Sequence, residues 1–146
     1  CELFTAFDKI AAQERFEDFM ELYFPTETGE QLAFVCAAAT ALLGLLILLF
    51  PGPSLRFSAF RIGDVRPEGY GSVRAAGAQY VGLGVVPIIF AQDWFYMVLG
   101  IVLGLGAFGR LVSFAFDRGA TVKNTLIFLL QVVLSAGPLA YVFGYL

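Results

Sequence analysis

The chain has 146 residues, is 59% hydrophobic and 14% charged, and carries a net charge of -3. A soluble domain of this length needs a polar exterior and could not hide so much apolar surface, so the composition points to one domain in a membrane. With no histidine and two cysteines, the residue types behind most haem, zinc and general-base sites are missing. No metal or cofactor is therefore expected.

Cys1 opens the chain in place of methionine. This fits a mature bacterial lipoprotein, cut just before a lipidated cysteine, and it equally fits a truncated N-terminus. Residues 2–24 read as an amphipathic helix. Leu3, Phe4, Phe7, Ile10 and Ala11 share one face, and Phe16, Phe19, Met20 and Tyr23 share another. The stripe changes phase near residues 13–15, which predicts a bend or two surfaces with different partners. An acidic polar face disfavours adsorption to anionic lipid. Docking on protein and lying at the interface on the phenylalanines are the two readings left.

Pro25 ends that element, and Thr28-Gly-Glu-Gln31 matches the capping-box pattern that opens a helix. Residues 31–50 then run without a charge, long enough to cross a bilayer core. Pro51-Gly-Pro53 stops this first span. The connection that follows, residues 54–73, carries Arg56, Arg61 and Arg66, with Arg74 just beyond and Phe57, Phe60 and Tyr70 interleaved. Arginines mixed with aromatics suit the headgroup layer, where guanidinium meets phosphate. The same mixture occurs in nucleic-acid sites, but orientation accounts for it here and no nucleic-acid partner is expected.

The second span, residues 75–92, contains Pro87, which should leave the Leu83 carbonyl without its helical donor and kink the helix. Residues 91–93 form the turn, and Trp94, Phe95 and Tyr96 read as an aromatic belt. The third span, residues 94–116, carries Gly100 and Gly104 at the four-residue spacing that lets helix backbones approach. Ala78 and Gly82 offer a matching small face on the second span. The expectation is tight packing within this hairpin, with a dimer interface as the alternative. Residues 125–146 make the fourth span, with Gln131 and Ser135 inside it, a further kink at Gly137-Pro138, and a girdle of Tyr141, Phe143 and Tyr145.

Arg110 lies within the third span. An arginine there is expensive and therefore a functional candidate, unless it snorkels to the nearby interface. Its candidate partners are Asp117, Glu68 and lipid phosphate. A headgroup site would draw on Arg74, Arg110, Arg56 and Arg61. Orientation follows from charge: with Arg110 counted in its nearest loop, seven of the nine basic residues lie on the side of residues 51–74 and 117–124. The positive-inside rule then puts that side in the cytoplasm and both termini on the periplasmic side of a bacterial inner membrane.

Several motifs together look familiar: MELYFPTETGEQ from Met20, Arg74-Ala-x-Gly with Tyr80-x-Gly-x-Gly, then Gly109-Arg-Leu-x-Ser with Asp117-Arg-Gly. Across residues 20–146 the chain resembles a family of small four-span proteobacterial membrane proteins that carry a domain of unknown function, some bearing the name phage infection protein. The resemblance implies a topology and a role in the cell envelope, and no activity. Residues 1–19 depart from the family's pattern.

The expected architecture is thus all-α and integral to the membrane: an amphipathic N-terminal segment (1–24) outside the cytoplasm, then a four-helix transmembrane domain (25–146). The acidic candidates for catalysis (Asp64, Glu68, Asp93, Asp117) are scattered in loops without pairing, which weighs against an enzyme. The expected function is that of an accessory or structural subunit of a larger inner-membrane assembly, partnered by lipids and other membrane subunits. The alternative is a small lipid- or quinone-binding protein or transporter with an arginine-lined interface.

Overall fold

The computed structural model describes residues 24–58, 63, 65–117 and 120–145, all of them helical or in connections between helices. Cys1, residues 2–23 of the amphipathic segment, Arg61 and Asp64 lie outside the described residues. Four long helices carry the fold: α1 (Thr28–Leu49), α3 (Pro67–Phe90), α4 (Asp93–Phe116) and α5 (Val122–Val142), with a short α2 (Pro51–Phe57) between the first two. Each long helix has 21 to 24 residues and is apolar enough to cross a membrane. At about 1.5 Å per residue each exceeds the hydrocarbon thickness of a bilayer. The protein is therefore an all-helical, four-span membrane protein. Its exterior agrees: Leu42, Val98, Leu105, Phe108, Val133 and other large apolar residues face outward along all four helices, the inverse of a soluble bundle.

Proline decides where three of these helices begin or run. Pro67 occupies the first position of α3, where its missing N–H costs nothing. The helix therefore starts eight residues before the expected span, and Arg74 lies inside it. Pro51 does the same for α2, so the Pro51-Gly-Pro53 stop opens a new helix instead of a loop. α3 and α5 continue through Pro87 and Pro138, both buried against neighbouring helices. At the start of α1 the expected capping box is absent. Glu27 is the cap residue, without a side-chain bond, and Gln31 Nε2 donates backward to the carbonyl of Pro25 at 3.2 Å. The side-chain cap that does form belongs to α5, where Thr121 Oγ1 accepts from the Asn124 amide at 3.3 Å.

Around the bundle the order is α1, α3, α4, α5, each antiparallel to its neighbours. The most extensive contacts join α1 to α3 and α4 to α5, whereas α3 and α4 touch little. The expected tight hairpin between the second and third spans is therefore corrected. Glycines explain the change. A Cβ at Gly44 would meet the Val81 backbone nitrogen at 2.5 Å and the Gly77 carbonyl oxygen at 2.7 Å. One at Gly77 would lie 2.6 Å from the Leu48 nitrogen, and one at Gly84 2.5 Å from the Ala41 nitrogen. Backbone lies against backbone along α1 and α3, which only glycine permits.

Gly82, in contrast, has open space where its Cβ would be, and both it and Ala78 are exposed on the opposite face of α3. Gly100 and Gly104 pack, but on α5: their added Cβ atoms would meet the Leu139 side chain and Ser135 Oγ. Ala33, Cys36, Ala37, Tyr96, Leu99, Leu103 and Leu134 form the buried centre. The Cys36 sulfur sits against Gly137, the contact that seats α1 on α5.

Candidate functional site

One line of polar side chains inside the bundle is centred on Arg110. Its Nε donates to Gln131 Oε1 at 2.8 Å and one terminal nitrogen donates to Asn124 Oδ1 at 2.7 Å. Gln131 passes its own amide hydrogen to Tyr80 Oη at 3.1 Å. The result is a line of side chains from α5 to α4, back to α5, and across to α3. Asn124 and Gln131 lie seven residues apart on α5, two turns, so both reach the same side of the helix that Arg110 faces. Gly106 makes room for the line, since a Cβ there would touch Gln131 Nε2 at 3.0 Å.

Arg110 thus takes neutral amide oxygens as partners. The expected ion pair with Asp117 or Glu68 is corrected: both carboxylates are exposed, and neither is paired with Arg110 among the described residues. The reason is register. Asp117 follows the last turn of α4 and Glu68 lies in the first turn of α3, whereas Asn124 and Gln131 flank Arg110 directly. An arginine shared between two amides keeps its charge without a counter-ion and leaves three of its five N–H donors unused.

Arg110 also lines a cavity of about 210 Å³, together with Phe57, Ser58, Thr121, Lys123, Asn124 and Ile127. Two cations, two hydroxyls and an amide therefore meet at the end of the bundle where α2 stops and α5 begins. Among the described residues no carboxylate lines it.

Of the other arginines expected at a headgroup site, Arg74 and Arg56 do not line this cavity. Arg74 donates to the Leu48 carbonyl at 2.7 Å. It caps the C-terminal end of α1, where carbonyls lack helical donors and the helix dipole favours a cation. Arg56 is exposed at the end of α2.

A second polar cluster closes the opposite end. Tyr141 Oη donates to Asp93 Oδ1 at 2.9 Å, and the Tyr141 ring meets Tyr96 edge-on with centroids 5.8 Å apart. Tyr96 is 2% exposed and belongs to the core, so the aromatic-belt reading fails for it, whereas Trp94 faces outward. Glu30 is also buried at this end. Sequence reading missed Tyr80, Asn124 and Tyr141. An amide at Asn124 seven residues before Gln131 was the available signal for the first network.

No family model, curated protein or solved structure matches the chain. Among the described residues no three His, Cys, Asp or Glu side chains group so as to hold a metal ion.

Proposed function

We propose that the chain is a non-enzymatic subunit of a larger assembly in the bacterial inner membrane, docked on its partner through the outward face of α3. One observation carries this reading. Gly71, Ala75, Ala78 and Gly82 form an exposed small-residue stripe on α3, with Gln79 exposed beside it near the middle of the helix. Among the described residues the Gln79 side chain has no hydrogen-bond partner. Hydrocarbon offers none, and an amide left unpaired there is costly. A neighbouring transmembrane helix would satisfy the amide, and the small stripe would let its backbone come close.

The interior supports the same reading, because its polar groups are already engaged. Ser135 Oγ donates to the Gly100 carbonyl at 2.6 Å, Thr40 Oγ1 to the Cys36 carbonyl at 2.7 Å, and Gln131 bridges Arg110 and Tyr80. Among the described residues no buried side-chain nitrogen or oxygen lacks a partner. The Ser135 and Gln131 bonds join neighbouring helices and the Thr40 bond stays within α1, and none of them offers a ready base or nucleophile. The distribution of basic residues favours a cytoplasmic position for the Arg110 end. The small four-span family that the motifs resemble suggests an envelope role compatible with a subunit.

Purification from native membranes in mild detergent tests the proposal. The wild-type chain is expected to carry at least one membrane protein in fixed proportion, and Gly82→Leu is expected to lose it while keeping its helix content. A lone monomer from wild-type membranes contradicts the reading.

A further inference from the structure

We infer that the cavity beside Arg110 binds a phosphate-bearing anion, the headgroup of an anionic lipid. The inference is independent of the docking face, which lies on another helix. Four features of the cavity carry it. First, it is built by parts remote in sequence: the end of α2 supplies Phe57 and Ser58, α4 supplies Arg110, and the first turns of α5 supply Thr121, Lys123, Asn124 and Ile127. Second, among the described residues the lining carries two cations and no carboxylate. Arg110 is held there by Gln131 and Asn124, which fix its plane and leave its charge whole. A planar guanidinium held in place presents paired donors to phosphate oxygens, and Lys123 adds a mobile point charge.

Third, the position suits a lipid. Arg110 is two turns from the end of its span and donates to Asn124 in the first turn of α5, so its guanidinium is directed toward the end where lipid phosphates would lie. Phe57 and Val122, exposed at 53% and 79%, stand near the mouth of the cavity or at the start of α5, in contact range of acyl chains. Fourth, the space is small and open on one side: at about 210 Å³ it suits a compact headgroup whose chains lie outside. Basic pockets between transmembrane helices are a recurrent way of holding anionic lipid.

The test is native mass spectrometry of the full chain released from detergent and titrated with phosphatidylglycerol, with phosphatidylcholine of the same acyl chains, or with inorganic phosphate. Phosphatidylglycerol should be retained well above phosphatidylcholine. Lys123→Ala, which removes an exposed side chain, should weaken its retention by about fivefold. Arg110→Gln should weaken it by about tenfold or more. Arg66→Ala, an exposed arginine that does not line the cavity, should leave retention unchanged. If millimolar phosphate displaces the lipid and binds in a Lys123-dependent way, the anion site stands and its source is a soluble phosphate. Equal retention of the two lipids, or equal losses from Arg66→Ala and Lys123→Ala, overturns the inference, and the Lys123 variant decides it even if Arg110→Gln fails to fold.

Discussion

Replacing Gly84 with alanine puts the packing account under its hardest strain. The added methyl would point at the α1 backbone, 2.5 Å from the Ala41 nitrogen and 2.8 Å from the Ala41 Cβ, and closer still to the Ala37 carbonyl oxygen. None of these atoms is the end of a flexible side chain, so no rotamer change relieves the contact. The two helices must separate by about 1 Å, and a gap of that size forfeits a quarter to a half of the dispersion attraction across it. Gly44 and Gly77 line the same seam, so the loss extends along the seam. Overpacking of this kind costs about 1–3 kcal/mol. Alanine's better helix propensity returns at most about 1 kcal/mol, so the net effect is destabilising. Gly82→Ala provides the internal control. It adds the same methyl to the same helix, where nothing stands within 4 Å, and should be neutral or slightly stabilising. Unfolding in mixed micelles of increasing SDS fraction, followed by circular dichroism, measures both. Equal stability of Gly84→Ala and Gly82→Ala, or the reverse order, refutes the α1–α3 seam.

Three further outcomes follow from individual contacts. Tyr80→Phe removes the acceptor of the Gln131 amide and should cost about 0.6–1.7 kcal/mol in the same unfolding assay, whereas Tyr70→Phe should cost nothing measurable. Ser135→Val loses the bond to the Gly100 carbonyl and adds bulk facing Gly104, where a Cβ built on the glycine would lie 3.1 Å from the hydroxyl; a loss of about 1–3 kcal/mol is expected, with Ser135→Ala milder. In a Cys1→Ser background, Cys36 is 5% exposed and should resist maleimide in the folded protein and react only after unfolding; rapid labelling of the native protein would contradict its place between α1 and α5.

What the sequence made legible depended on which physical signal each residue sends. Span number and approximate limits were readable because twenty apolar residues without charge have few other uses. Two of the departures trace to proline: Pro67 and Pro51 look like breakers and act as first residues of helices. Helix pairing was less legible. Spacing shows that α3 has two small faces, Gly77 with Gly84 and Ala78 with Gly82, but cannot say which one meets a neighbour. The repeat at four residues drew attention to the wrong face, because the α1–α3 seam repeats at seven. Arg110 was legible as an unusual residue, yet not its partners. Carboxylates are the usual expectation for an arginine, and the amides of Asn124 and Gln131 meet it only once α4 and α5 are packed. The Tyr141–Asp93 bond joins residues 48 apart in sequence and sends no local signal at all.

The central claim is that α3 turns a helix-docking face outward. Site-specific photo-crosslinking in native membranes tests it most directly, with the photoreactive residue at Ala78 and, as a lipid-facing control, at Val133 on α5, which is 64% exposed. The account predicts a discrete protein adduct from Ala78 and only lipid adducts from Val133. Lipid adducts alone at both positions would contradict it.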